Sequence, residues 1–445
     1  MTKFDLSRIL ERFKRKWTSE LDPSAIEGVC REEGLEWRRR ILDPVRTIQL
    51  FFVQVLHGNT ACAHLPHLSQ LKFSASAYCQ ARARLPLRVF ETLLERLGAG
   101  IQKQESEEGR WRGHRTLFVD GSSFSMPDTQ NLQEYFGQPP KQSKGCGFPT
   151  SHILTLFHAG TGMVLRILSS PLCTHDMTRA AELHPELLPG DVLVADRAFC
   201  SFGHMCRLLQ RQVHCVMRVH QRKIVNFRAG RSYATHANHK KGKPTSKWLK
   251  KLGPRDQLVQ WVKPKSCNRW ITPEQFSALP EFIVVRELYY QLTKPGFRTT
   301  TVTLVTTLLS AQDYPADALA QLYGRRWSIE INFRHLKTTM GMDVLRCETV
   351  DGVMKELCIF CIVYNLVRLV MLEAAKQHNL PIDRISFIDA LRWLTQTLNH
   401  PLEFQITVNP CRPNRIEPRA IKRRQKTFSL LKIPRQQARS SLKYQ

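Results

Sequence analysis

Acidic residues are scarce in this chain and nearly absent from two long stretches of it. Its 445 residues include 38 Asp and Glu against 66 Lys and Arg, which gives a formal net charge of +28. Residues 221–275 contain 14 basic and 2 acidic residues, and residues 401–445 contain 11 and 2. This excess indicates association with a polyanion such as nucleic acid, and the alternative is that each stretch is a solvated face.

The sequence also lacks the features of a secreted or membrane protein. Residues 1–16 are charged and contain no apolar signal segment. The 13 cysteines are odd in number and scattered, which fits a reduced cytoplasm better than a disulfide framework. The most apolar run, Leu357–Leu372, is too short for a membrane span and contains Asn365 and Arg368, so we expect a core helix. Its single Cys-x-x-Cys motif has no second pair and therefore predicts core packing, not a zinc site.

Residues 1–100 have the pattern of several short helices. Asp43-Pro44 is a helix start, with proline at the first helical position, and Ser74 can cap a further helix that carries arginines. Such helices could place one member in a DNA groove. A helical bundle used for dimerisation fits the same pattern equally well.

From Arg115 onwards the pattern changes to strands. Two short apolar runs, Thr116–Asp120 and Asp191–Asp196, each end in an acid, and residues 153–158 and 163–167 flank a hairpin signal. The order of three strands, helix, strand, helix, strand predicts an α/β arrangement. We expect its first three strands to pair as an antiparallel meander.

The strand rhythm breaks in the basic stretch that follows. Strand-like runs return at 281–288 and 299–308, and helical spacing resumes at Ala316 and continues to about Leu398. The tail after Pro401 is rich in Pro, Arg and Lys and has no apolar period. We expect it to be extended or partly disordered.

Four polar side chains share one stripe if the segment after Ala316 is a regular helix. At about 100° per residue, Tyr323, Arg326, Glu330 and Lys337 fall at roughly 0, −60, −20 and −40°. The stripe places a carboxylate, which can hold a metal ion, among two cations and a phenol, which can hold phosphate oxygens. The alternative is an exposed Arg326–Glu330 pair, which would stabilise the helix by only ~0.3–0.5 kcal/mol.

Asp120 and Asp196 are the acids that could join Glu330. A lone Asp at the end of a strand is usually a helix cap or a turn former. If the two strands are neighbours and the helix packs across them, however, the three carboxylates converge. Hard oxygen ligands of this kind suit Mg²⁺ or Mn²⁺, and two ions ~4 Å apart can support phosphoryl transfer.

The spacing of these residues resembles that of a known enzyme family. Residues Tyr323 to Lys337 fit the signature Tyr-(2)-Arg-(3)-Glu-(6)-Lys at every position. Asp120-Gly121-Ser122 and Asp196-Arg197-Ala198-Phe199 are similar to the first and second acidic motifs of the same family. Over roughly residues 40 to 435 the chain therefore resembles the DDE transposases of the insertion-sequence-four family.

The resemblance implies an α/β fold with a ribonuclease H-like catalytic core that is interrupted by a β-rich insertion. The implied regions are a helical N-terminal region for DNA binding or dimerisation (1–100), the first part of the core (101–220), a basic β-rich insertion (221–312), the second part of the core with the catalytic helix (313–400) and a basic tail (401–445). The insertion of some members supplies an aromatic side chain that stacks on a flipped base. Here we find no Trp just before the catalytic helix, and we expect Trp248, Trp261 and Trp270 to be buried in the insertion.

The resemblance also implies the chemistry. Asp120, Asp196 and Glu330 would bind two Mg²⁺ or Mn²⁺ ions, while Tyr323, Arg326 and Lys337 would contact DNA phosphates. The partners would be the terminal inverted repeats and the target DNA, bound by a homodimer at the nucleoid in the cytoplasm, with no role for a membrane. Two alternatives remain, a transposase-derived DNA-binding protein without catalysis and a structure-specific nuclease.

Overall fold

A large mixed sheet runs through the protein and carries helices on both faces. The computed structural model describes residues 18–102, 110–234, 242–266, 270–292, 300–395, 406–410 and 431–442. Within these ranges nine strands form one sheet in the order β3-β2-β1-β4-β5-β9-β8-β7-β6. The strands are β1 (Thr116–Ser125), β2 (Thr150–His158), β3 (Val164–Pro171), β4 (Val192–Ala195), β5 (His214–Arg218), β6 (Ser246–Gly253), β7 (Asp256–Val262), β8 (Phe282–Leu292) and β9 (Thr300–Thr306).

The directions of the strands confirm the predicted meander. β1, β2 and β3 pair antiparallel, and β4 and β5 follow parallel to β1. β9 then pairs antiparallel with β5, and β8, β7 and β6 continue outwards from it. The strands of the basic region therefore extend the same sheet and do not form a separate one.

The helices lie between and beyond these strands. In chain order they are α1 (Pro23–Glu32), α2 (Pro44–Leu56), α3 (Leu65–Ser69), α4 (Ala75–Arg84), α5 (Leu87–Gln102), α6 (Gln130–Phe136), α7 (Asp176–Ala180), α8 (Phe202–Gln210), α9 (Pro273–Ser277), α10 (Ala316–Arg325), α11 (Ser328–Arg334), α12 (Val350–Gln377), α13 (Phe387–Thr395) and α14 (Arg435–Leu442). The predicted starts of α2 and α4 are confirmed. The Asp43 carboxylate accepts from the N–H of Arg46 at 2.8 Å, and the Ser74 hydroxyl accepts from that of Ala77 at 3.1 Å.

Successive side chains of β1 point to opposite faces of the sheet, and both faces are buried. Phe118 and Phe124 point to what we call the front face, which α12 and the N-terminal helices cover. Leu117 and Val119 point to the rear face, which α7 and α8 cover. Two hydrophobic layers therefore sandwich the central strands, as the near-continuous apolar sequence of β4 requires.

The apolar run at Leu357–Leu372 is a core helix, as predicted. It lies within α12, which is long and apolar enough to cross a membrane, yet 89% of its most apolar window is buried inside the protein. Cys358 and Cys361 are free thiols in this packed interior.

Two features of the basic regions differ from the expectations. The β6–β7 hairpin was not predicted, because only one side of β6 is covered and its sequence carries lysines at Lys247, Lys250 and Lys251 in place of an apolar alternation. The tail contains helix α14, where extended or disordered chain was expected. Arg435 at its start lies over the Phe148 ring and donates to the Asp128 carboxylate, and these contacts are not visible in the local sequence. Most of the tail lies outside the described residues.

The tryptophans of the basic stretch follow the expectation in part. Trp261 is buried, donates to the Glu287 carboxylate at 2.8 Å and packs beneath the Lys223 ammonium. Trp248 and Trp270 are only half-buried. Burial lowers the pKa of Lys223 to about 8, so this lysine belongs to the core and not to the exposed positive surface.

One polar side chain in α12 joins the core helix to the sheet. The Asn365 amide is fully buried, accepts from the N–H of Val164 and donates to its C=O, both at 2.8 Å. Buried backbone groups need partners, because an unpaired one costs free energy comparable to a lost hydrogen bond. Asn365 therefore satisfies the first residue of β3 from across the core.

We expect Asn365→Leu to lower the free energy of unfolding by about 2–4 kcal/mol, because two buried backbone groups lose their partner while the volume is kept. Urea titration followed by circular dichroism measures this loss. Cys361→Ala, one turn earlier in the same helix, is the control and should cost less. A loss for Asn365→Leu no larger than that of the control would contradict the role of the amide.

Candidate active site

The two strand acids lie side by side on the front face. β1 and β4 are parallel, with Val119 opposite Ala195, so Asp120 and Asp196 occupy the next level on adjacent strands. Asp120 does not end its strand as predicted. β1 continues for five more residues to Ser125, four of them polar or small, and all five pair with β2. Side chains two residues apart on a strand point to the same face, so Asp120 lies on the same face as Phe118, and Asp196, at the same level on the neighbouring strand, lies there too.

The stripe from Tyr323 to Lys337 is not one regular helix. α10 ends at Arg325, α11 begins at Ser328, and a π-helical turn follows at His335–Thr339. The N–H groups of Arg326 and Glu330 each bond three residues back, to Tyr323 and Trp327. This tighter turn changes the angles between side chains, so that some point to the sheet and others to solvent.

Three of the four stripe residues reach the acidic strands. The Arg326 guanidinium donates to the Asp120 carboxylate at 2.8 Å, and the Tyr323 hydroxyl donates to the Asp196 carboxylate at 3.3 Å. The Lys337 ammonium donates to the Ser122 hydroxyl at 3.2 Å, two residues beyond Asp120 on the same face. Tyr323 and Arg326 are 3% and 9% exposed, so these contacts are largely shielded from water.

The charge of Asp120 is only partly compensated. Burial raises its pKa, the guanidinium of Arg326 and the N–H of Gly121 oppose that rise, and the charges of Asp196 and Asp176 add to it. Burial also raises the pKa of Tyr323 to about 12, so the phenol keeps its proton and acts as a donor. The site therefore carries two neighbouring acids and an incomplete set of positive partners, which is an arrangement that attracts cations.

Glu330 stands apart from the two strand acids. It is exposed on the first turn of α11, and no three Asp, Glu, His or Cys side chains of the described segments lie close enough together to share a metal ion. The oxygen ligands of Asp120 and Asp196 fit a divalent cation by type and by charge. Arg326 takes the position of positive partner beside Asp120, and the convergence of all three carboxylates stays a prediction.

Comparison with known proteins places this geometry in a family. A family model described as "Transposase DDE domain" matches residues 111–366, which include both strand acids and the whole stripe. The chain belongs to this DDE transposase family. It is 24% identical over 314 residues to transposase InsG of insertion sequence element IS4 from Escherichia coli, covering 68% of this chain and 62% of that protein.

Two further similarities are weaker. The putative transposase InsZ of E. coli is 23% identical over 137 residues, 31% of this chain and 46% of that protein. The structure of a piggyBac transposase synaptic complex with hairpin DNA aligns over 88% of this chain and 79% of its own, with 12% identity and a TM-score of 0.43. The alignments span less than two thirds of either curated relative's length.

A buried histidine pair next to the second acidic motif of this DDE domain carried no signal in the sequence. Nδ1 of His204 bonds the C=O of Phe199 at 2.8 Å, and its Nε2 lies 3.1 Å from Nε2 of His184, with the rings stacked. Because Phe199 offers only an acceptor there, His204 carries its proton on Nδ1 and His184 donates to the bare Nε2. The pair thus holds the turn that follows Asp196, and local sequence could not reveal it because the two rings come from separate elements.

This pair predicts an acid-sensitive fold. Burial lowers the pKa of His204 to about 4 and that of His184 to about 3. A histidine of the unfolded chain titrates near pH 6.5, so protonation below that pH favours unfolding. Stability should be complete above pH 6.5 and should fall as the pH drops towards 4, by about 3 kcal/mol for His204 alone. His204→Gln should flatten this slope in urea titrations, and the exposed His67→Gln should not; equal slopes would contradict the prediction.

The contact between Arg326 and Asp120 predicts a direction of titration. Arg326→Gln should raise the pKa of Asp120 further, because the charge that opposes burial is lost. Carbon-13 NMR of the labelled aspartate carboxyl groups in metal-free protein measures this. Arg325→Gln removes a neighbouring exposed guanidinium that does not touch Asp120, and it should leave the pKa of Asp120 unchanged. A fall in the pKa of Asp120 after Arg326→Gln would contradict the ion pair.

Proposed function

We propose that this DDE transposase cleaves DNA at the ends of an insertion sequence and joins those ends to a target, with divalent cations as cofactors. The observation that supports this most is the level placement of Asp120 and Asp196 on adjacent parallel strands, with Arg326 and Tyr323 in contact with them. Two half-buried acids facing a set of phosphate-binding groups suit phosphoryl transfer better than they suit a purely structural role.

The fold provides the framework for this chemistry. We assign β1–β5 with α10–α12 to a ribonuclease H-like core and residues 221–312 to the insertion. The insertion leaves the core after β5 and returns through β9, which pairs with β5. Its exposed edge strand β6 carries Lys247, Lys250 and Lys251, which extends positive charge outwards from the acids.

Asp120, Asp196 and Glu330 are the proposed ligands of two Mg²⁺ or Mn²⁺ ions. Glu330 is free to rotate, because it is exposed on the turn that follows Arg326. Bound ions would activate a water or a 3′-hydroxyl and stabilise the leaving oxygen. Burial raises the pKa of Asp120, and a bound cation would favour the ionised carboxylate that acts as a ligand.

Tyr323, Arg326 and Lys337 are the proposed phosphate clamps. In the structure they contact Asp120, Asp196 and Ser122, so they are already placed at the site before DNA arrives. Tyr323 keeps its proton at neutral pH and can donate to a phosphate oxygen. Cations held by the acids would compete with Arg326 for Asp120, which would leave the guanidinium available for the scissile phosphate.

The proposed partners are the paired terminal inverted repeats and the target DNA, handled by a homodimer in the cytoplasm. The net charge of +28 supports a polyanionic substrate. The N-terminal helices stay assigned to DNA binding or dimerisation.

The experiment that tests this function uses Glu330→Gln. We expect it to lower the cleavage rate of paired terminal repeats at least about 100-fold, because a charged ligand is lost, while DNA affinity stays within about twofold. Gel assays of cleavage and fluorescence anisotropy of binding measure the two quantities. Glu274→Gln, an exposed glutamate in α9, is the matched control and should behave as the wild type.

The outcomes separate the alternatives. Binding without metal-dependent cleavage by the wild type would point to a DNA-binding protein, and cleavage without joining would point to a nuclease. Full activity of Glu330→Gln would remove the glutamate from the proposed site.

A further inference from the structure

A histidine–aspartate pair lies against the rear of the strand that carries Asp120. His152 belongs to β2 and Asp176 is the first residue of α7. Nε2 of His152 bonds Oδ1 of Asp176, and both side chains are about one-fifth exposed. The pair therefore joins β2 to α7 beside β1. Neither residue belongs to the DDE signature.

Gly121 is where this pair meets β1. A Cβ at this position would lie 2.8 Å from both Cε1 of His152 and Oδ1 of Asp176, closer than real Cβ atoms approach other heavy atoms. The backbone of Gly121 is not in the left-handed region, so its conformation does not require glycine. Glycine is favoured here by space, because any other residue would have to displace the paired side chains.

The position of this contact connects it to the acids. By alternation, Asp120 and Ser122 face the front while Gly121 faces the rear. The front contacts of Asp120 and Ser122 come from Arg326 and Lys337, which under the proposed function would exchange these partners for phosphates. The rear contact at Gly121 involves none of those groups and stays unchanged when the front contacts exchange.

We propose that His152 and Asp176 are positioning residues, which hold β1 from behind and so keep Asp120 level with Asp196. This inference rests on the proposed function for its catalytic consequence. The charge of Asp176 also acts on Asp120 through the sheet, and the imidazole of His152 bonds the same carboxylate. The pair packs against the backbone of Gly121, next to the proposed metal ligand Asp120. Such packing can fix the position of Asp120 to within a fraction of an ångström, which is the precision that catalysis requires.

A double-mutant cycle between Gly121 and His152 tests the contact. Gly121→Ala drives a methyl group into the pair and should lower the cleavage rate constant about 10- to 100-fold, with the KM for DNA unchanged. His152→Ala should cost less, since it opens space and frees Asp176 to turn away. The double variant should be more active than Gly121→Ala alone, because the methyl group then has room. Gly28→Ala, in α1 with open space around it, is the control and should match the wild type.

A second measurement does not depend on cleavage. Mn²⁺ titration of the DNA-free protein by electron paramagnetic resonance should show weaker binding in Gly121→Ala and recovery in the double variant. Independent, multiplicative effects of the two substitutions would overturn the proposal, as would wild-type behaviour of Gly121→Ala. If the wild type binds Mn²⁺ with this coupling but cuts no DNA, the positioning role stands and the proposed function fails.

A third variant covers the case in which Gly121→Ala does not fold. Asp176→Asn keeps the size of the side chain but replaces the hydrogen bond from His152 to a carboxylate with a weaker one to a neutral amide, so the pair should hold β1 less tightly. It should lower the rate constant and the Mn²⁺ affinity several-fold while the melting temperature and the KM for DNA stay unchanged. A rate constant and Mn²⁺ affinity equal to those of the wild type would overturn the proposal.

Discussion

The parallel register of β1 and β4 sets two carboxylates beside one another, and much of the surrounding structure compensates for that repulsion. Asp120 and Asp196 are partly buried on one face, where the charge of Asp196 adds to the rise that burial causes in the pKa of Asp120. Arg326 and Tyr323 supply one cation and one neutral donor, which is less positive charge than the two acids require. Because the sheet holds the two acids together, the site favours the binding of cations, and this arrangement lowers the free energy of unfolding of the cation-free protein.

The break between α10 and α11 points the side chains of the stripe in different directions. In a regular helix Arg326 and Glu330 would lie within about 40° of one another and would neutralise each other as an i,i+4 pair. The tighter turn sends Arg326 to the acids and leaves Glu330 in solvent. Trp327 and Ile331 are left exposed on the same short helix, so this segment is held less by core burial than α12 is.

Patterns of period two and period 3.6 were enough to predict the order of the central strands, the start of α2 at Asp43 and the burial of α12. They did not by themselves identify the acids and the phosphate clamps, whose proposed roles rest on the resemblance and stay predictions. They could not place Glu330 in solvent, because the break in the helix depends on how Arg326 is drawn to a strand some 200 positions earlier in the sequence. Nor could they find the β6 edge, where lysines replace the apolar alternation, or the buried His184 ring, whose partner lies on another helix.

The segment after the stripe shows how the remaining structure fixes the front of the site without covering it. The N–H of Ser125, at the end of β1, donates to the C=O of Asp343, and the C=O of Ser125 accepts from the N–H of Leu345. This segment therefore continues the backbone hydrogen bonding of β1. The buried Glu356 carboxylate accepts from the N–H of Cys347 and from the amide of Asn59 in the N-terminal helical region. A carboxylate that accepts several hydrogen bonds within a core costs free energy unless its donors stay in place. Movement of the N-terminal helices would therefore be transmitted to the strand that carries the first acid, while the acids themselves stay accessible to cations.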